Sequence, residues 1–300
     1  MLYTYIFTGY SKDMVLTIHE NVINAVAFNP QGTLLASSSF TTHTWNANTG
    51  NVLGAFSSHS ANMWTYSVAF SPSNVLATGS QDSTIRLLNP DVGSLIRTLT
   101  GHTGAVYGLS FSLNNILASC SADTNVKIWN PNNGTCLRTL TLHSNAVHSL
   151  AFSVTNPSIL ASGSYTTMLW NVDTGEKLFT LAGHAANMIT FSCAFSSSNI
   201  LATASQDQTV NLWNPDTGTL VRTLTGHSNV IYGVSFSPSG LMATGSADSS
   251  VKLWNPETGV CLSTLIGHGS YVRGLAFSST GVLASCSGDT NVILWSIPWI

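Results

Sequence analysis

Residues 102–140 read HTGAVYGLSFSLNNILASCSADTNVKIWNPNNGTCLRTL. Four stretches within them, AVYGLSF, ILASCS, NVKIWN and TCLRTL, are short, rich in β-formers and close to period two in their apolar positions, the pattern of β-strands. SLNN, SADTN and NPNNG separate them, and such clusters of Asn, Asp, Pro and Gly make turns. This reading extends along the chain. Segments closing in LWN, IWN or a near variant place Trp45, Leu88, Trp129, Trp170, Trp213, Trp254 and Trp295 at spacings of 43, 41, 41, 43, 41 and 41 residues. A histidine precedes each: His19, His59, His102, His143, His184, His227 and His268. The turn between the last two strands recurs as NANTG, NPDVG, NPNNG, NVDTG, NPDTG and NPETG. Four strands at a period of about 40–45 residues describe a propeller blade. Seven repeats predict an all-β, seven-bladed β-propeller of four-stranded antiparallel blades.

The GH segment, the (S/T)-x-S-x-D segment and the Trp followed by Asn resemble the WD-repeat β-propeller family, in register seven times over residues 11–296. One departure is consistent: Asn or Ser follows the Trp position where the family has Asp. The repeats lie at about 19–56, 57–99, 100–140, 141–181, 182–224, 225–265 and 266–300, read as one domain over 1–300. The last repeat lacks a fourth strand, and 11–18 aligns with TCLRTLTL, so an N-terminal strand near Met14–Leu16 is expected to complete the blade of Trp295 and close the ring. Residues 1–10 receive no place in this scheme. A second period of 125 residues superimposes Leu88 on Trp213, Trp129 on Trp254 and Trp170 on Trp295. It also pairs unusual loops, SANMW with AANMI and SFTTHTW with SYTTMLW.

The resemblance implies structural tetrads in which the Trp, a hydroxyl, the His and an Asp are linked. These would be His102, Ser119, Asp123 and Trp129; His184, Thr203, Asp207 and Trp213; His227, Thr244, Asp248 and Trp254; and His268, Ser285, Asp289 and Trp295. A buried indole N–H donates only and needs an acceptor, which favours this over hydrolase chemistry. The sets with His59, with His19 and with His143 are incomplete: Leu88 replaces the Trp in the first, and the other two lack the Asp. Of twelve Asp and Glu, five belong to such sets and four, Asp91, Asp173, Asp216 and Glu257, to turns. Asp13, Glu20 and Glu176 are left, without a paired carboxylate for acid–base work or a calcium cluster. His43 and His148 lack partners at metal-ligand spacing, and no phosphate-binding glycine motif occurs, so no catalytic residue, cofactor or metal is expected.

Composition narrows the partner. Charged residues make up 7% of the chain against about 25% in an average domain. Ser, Thr and Asn supply about a third of it. A net charge of −3 with nine Lys and Arg argues against nucleic acid, which needs a basic face. No apolar run reaches the ~18 residues of a membrane span, and the N-terminus has no basic, cleavable leader, so membrane insertion is not expected and a cytoplasmic location is. The five cysteines form no CxxC pair, and four of them, Cys120 with Cys286 and Cys136 with Cys261, sit at repeated places, which reads as packed small side chains. Asn133-Gly-Thr135 is a sequon of the kind that arises readily in such a composition.

In the family resembled, the residue four before the phenylalanine of the first strand often lies at the rim of the top face. Here these are Asn24, Tyr66, Tyr107, His148, Phe191, Tyr232 and Arg273. Two lengthened loops add Met63 with Trp64 and Met188 with Ile189. Aromatics, Met and Arg are enriched in interface cores. The competing reading is that these side chains plug the channel or pack on neighbouring blades. The basic residues Arg86, Lys127, Lys252, Arg97, Arg138 and Arg222 follow the blade pattern and read as solvated strand faces. The expected function is a non-catalytic scaffold that docks a peptide or protein segment on its top face, with a place in a larger complex among the expected partners. The alternatives are a glycan- or small-ligand-binding propeller and a sensing domain of a larger signalling protein.

Overall fold

In most blades the strand of highest burial is the one the sequence makes smallest and most uniform. In the third blade Leu117–Ser121, LASCS, is buried along its whole length. Its small Ala, Ser and Cys side chains let the sheets on both sides approach closely. The outermost strand of that blade, Cys136–Leu140, is exposed except at Leu140. The same gradient runs through every blade of the computed structural model, which describes residues 11–297. Residues 1–10, unplaced by sequence, lie outside this range.

The strands form seven four-stranded antiparallel sheets, numbered here as blades 1–7, with strands a to d running from the centre outward. Strands a are Ala25–Phe28, Thr65–Phe70, Val106–Phe111, Ser149–Phe152, Thr190–Phe195, Ile231–Phe236 and Val272–Phe277. Each lies beside the next, and that of blade 7 returns to that of blade 1, so together they line a central channel. The blades pack face to face through apolar layers; one such layer holds Val126, Ile128 and Leu140 of blade 3 against Phe152, Leu160 and Trp170 of blade 4.

Blade 7 takes its strand d from the other end of the chain. Ser11–Leu16 pairs antiparallel with Val292–Ser296, through Leu16 opposite Val292 and Val15 opposite Ile293. Leu16 is buried with Ile23, Val26, Trp45 and Val292. The ring is therefore closed without a covalent bond, and the outer edge of Val292–Ser296 is covered.

The Asn that follows the Trp position now has a physical account. Asn46, Asn89, Asn130, Asn171, Asn214 and Asn255 each accept a backbone N–H two residues on through Oδ1, at 2.9–3.0 Å. This is the turn an Asp would make, without its charge. The turn then needs a left-handed residue: Gly134 has φ 79°, and a Cβ there would meet Arg97 Cδ of the preceding blade at 2.7 Å.

The 125-residue period is present in the backbone as well. Left-handed φ recurs at Asn62 and Asn187, Asn74 and Asn199, Ser83 and Gln208, and Thr124 and Ser249. The cysteines divide in a way the repeat did not show. Cys120, Cys193 and Cys286 are buried, but Cys136 and Cys261 are exposed because they fall on outer strands. All five are free thiols.

Candidate functional site

The recurring polar residues form relays. In blade 3 the Trp129 indole N–H donates to Ser119 Oγ at 2.8 Å, His102 Nε2 lies 2.7 Å from the same hydroxyl, and His102 Nδ1 lies 2.7 Å from Asp123. Asp123 also accepts the backbone N–H groups of Thr103 and Asn125. Thus one carboxylate ties the loop entering the blade to the b–c turn. The relays of His184, Thr203, Asp207 and Trp213, of His227, Thr244, Asp248 and Trp254, and of His268, Ser285, Asp289 and Trp295 repeat it, with bonds of 2.7–3.0 Å. Burial lowers the pKa of each of these histidines despite the carboxylate, so they are neutral at pH 7. Burial would raise Asp248, but the Ser250 hydroxyl and His227 outweigh it and bring it to about 2.

Three relays are partial. His59 reaches Thr78 at 2.8 Å and Asp82, but Leu88 offers no N–H. His143 and His19 reach Ser162 and Ser37, which also accept from Trp170 and Trp45, but neither finds an acid. His19 packs edge-on against His43, ring centroids 4.4 Å apart, and its buried Nδ1 has no partner. Among the described residues no three His, Cys, Asp or Glu are grouped to hold a metal.

The seven rim residues are brought to one place, the top of the channel. Five of them owe their direction to a β-bulge. Register with strand b slips between Thr65 and Ser67, Val106 and Gly108, Thr190 and Ser192, Ile231 and Gly233, and Val272 and Gly274. The extra residue in each case is Tyr66, Tyr107, Phe191, Tyr232 or Arg273. A bulge leaves one residue out of the ladder and re-aims its side chain. Asn24 and His148 sit one residue ahead of their strands, with backbone N–H groups bonded to Ser38 and Gly163.

The side chains meet in series. Ring centroids are 5.2 Å apart for Tyr66 and Tyr107, 5.0 Å for Tyr107 and His148, 5.5 Å for His148 and Phe191, and 5.0 Å for Phe191 and Tyr232. The arc continues to Arg273, whose guanidinium carbon lies 5.9 Å from the Tyr232 ring. Asn24 is buried and donates to the Thr65 carbonyl of blade 2 at 3.1 Å. The arc is half-exposed, between a plugged core and an open surface. Tyr271, which the position rule passes over, joins it 6.0 Å from Tyr232; the signal was its place two residues before Arg273.

The lengthened loops stand apart from this arc, and the two differ. Trp64 packs on Phe40 of blade 1 with centroids 4.0 Å apart, while Met63 is exposed. At the places 125 residues on, Ile189 and Tyr165 replace that pair, Met188 is half-exposed, and a concavity of about 350 Å³ opens along Tyr165, Leu181, His184 and Asn187.

The seven blades agree with a family comparison. The model for the WD domain, G-beta repeat, matches residues 10–46, 50–89, 93–130, 134–171, 175–214, 218–255 and 259–296. The chain belongs to the WD-repeat family. The chain is 39% identical over 90 residues to eukaryotic translation initiation factor 3 subunit I of Neosartorya fischeri, 29% of this chain and 26% of that protein. The same subunit of Emericella nidulans is 40% identical over 90 residues, with the same coverage, and that of Neurospora crassa 35% over 89 residues, 29% and 25% of the two chains. The aligned stretch is about a quarter of each relative. Within this WD-repeat chain the described residues contain no helix long and apolar enough to cross a membrane.

Proposed function

We propose that this WD-repeat protein is a non-catalytic interaction module that docks a peptide or protein segment at the top of its channel. The observation that carries the proposal is the arc from Tyr66 to Tyr232, built on bulges and left half-exposed. Rigid aromatic side chains beside an Arg are the residues that dominate binding hot spots. The relays occupy the His, Ser and Asp that an enzyme would need, which supports a role without turnover. The relatives are by name subunits of a translation initiation factor, which supports a place in a larger protein assembly. Three of the four successive contacts are edge to face and Tyr107 stacks on His148, so many ring faces are already used. That favours insertion of one side chain over stacking of a flat sugar.

The test is a paired pull-down from a native extract with identification by mass spectrometry. One bait is the wild-type chain and the other carries Tyr107→Ala, Tyr232→Ala and Arg273→Ala, checked for folding by circular dichroism. A protein retained by the wild type alone is expected. Equal recovery on both baits would remove the channel mouth from the function.

A further inference from the structure

Of the seven rim positions, six are uncharged and one is Arg273. Its guanidinium is half-buried against Tyr232, and among the described residues no carboxylate or hydrogen-bond acceptor engages it; the five ion pairs there are all His–Asp pairs of the relays. Its charge is felt across the opening. Burial lowers His148 and Arg273 lowers it further, although the two residues stand three blades apart. Burial raises Tyr66, and Arg273 opposes that rise. His148 occupies the place 125 residues before Arg273, so the internal repeat offers two equivalent positions and only one holds a permanent cation.

We propose that Arg273 anchors the carboxylate of an Asp or Glu side chain on the docked segment, flanked there by apolar residues that meet the aromatic arc. The inference rests on the docking role proposed above and names the chemistry that role selects. A half-buried guanidinium without a partner has lost hydration that an incoming carboxylate would replace. An arc of aromatics by itself would suit a cation. Here Arg273 already occupies the Tyr232 face, and a second cation would meet like charge.

The count of charges sets the anion. With His148 neutral, the mouth carries a single positive charge, which one carboxylate balances and a phosphate dianion would exceed. The carboxylate is assigned to another molecule, the segment docked in the role proposed above.

Pools of N-acetylated, C-amidated hexapeptides, with one position fixed and the others drawn from apolar residues, are captured on the immobilised full chain and quantified by mass spectrometry. The Asp and Glu pools should exceed their Asn and Gln counterparts by about ten-fold or more, a difference of about 1.4 kcal/mol. Arg273→Gln should abolish that ratio with an unchanged circular dichroism spectrum, and Arg273→Lys should keep part of it. Enrichment of Lys or Arg pools, a ratio that survives Arg273→Gln, or capture of no pool would overturn the inference. So would a phosphoserine pool that outruns Glu, or non-amidated peptides that outrun amidated ones, since these assign the mouth to a dianion or to a chain terminus. Pools lost with Tyr107→Ala but indifferent to the fixed residue would leave the docking role standing and remove the carboxylate.

Discussion

Blades 2 and 6 allow one buried indole N–H to be weighed directly. Thr78 and Thr244 are equivalent, both fully buried, and each lies 2.8 Å from a histidine Nε2, of His59 and His227 respectively. Their main difference is one bond: Trp254 donates to Thr244 at 2.8 Å, whereas Leu88 has nothing to donate and Thr78 makes instead a long contact to the Arg86 carbonyl at 3.4 Å, an oxygen on the neighbouring strand. Replacing each Thr by Val keeps the branched shape and removes the hydroxyl. Thr244→Val strands two buried polar groups and Thr78→Val strands one. At about 1–3 kcal/mol for each orphaned group, the costs are about 2–6 and about 1–3 kcal/mol. The difference, about 1–3 kcal/mol, belongs to the indole. Urea unfolding followed by circular dichroism, with unchanged m, measures it, and native-state hydrogen exchange locates it in blade 6. Equal losses, or a larger loss in blade 2, would refute the view that the hydroxyl matters as the acceptor for Trp.

The partial relays of blades 1, 2 and 4 should make these blades open at lower free energy than blades 3, 5, 6 and 7; exchange data showing their strands best protected would end that idea. Burial lowers His143 to about 4 from 6.5, so as pH falls below 6.5 the unfolded chain takes up a proton that the folded chain refuses. Stability should therefore decline between about pH 6.5 and 4, by about 3 kcal/mol from this group, and His143→Gln should flatten the decline. Parallel curves for the two proteins would contradict this. Leu16→Ala should cost about 2–5 kcal/mol and speed proteolysis near blade 7, because Leu16 is buried where the ring closes. Unchanged proteolysis would mean that closure does not rely on this side chain.

The architecture was legible because it is written seven times. Trp45 to Trp295 set the number of blades, and the unmatched strand at Met14–Leu16 pointed to closure. The gathering of the rim residues was legible only through the family resemblance. That bulges aim Tyr66, Tyr107, Phe191, Tyr232 and Arg273 depends on strand register, which an apolar pattern specifies to the nearest face and not to the extra residue. The stacking of Trp64 on Phe40 joins residues of different blades, and the packing of His19 on His43 joins a loop to a strand. No local spacing reports such contacts. Cys136 and Cys261 sat at matched places, as packed residues would, but a repeat makes exposed positions recur as faithfully as buried ones.

The pairing of Ser11–Leu16 with Val292–Ser296 also sets an order of events at the ribosome. Some 280 residues separate the partners, so at about 5–20 residues per second the earlier strand waits roughly 15–60 s for its neighbour to be made. During that wait Met14, Val15 and Leu16 are an unpaired β-segment of the kind that recruits other chains. Lys12 and Asp13 beside them, two of the few charges in this chain, are well placed as gatekeepers until the ring is complete.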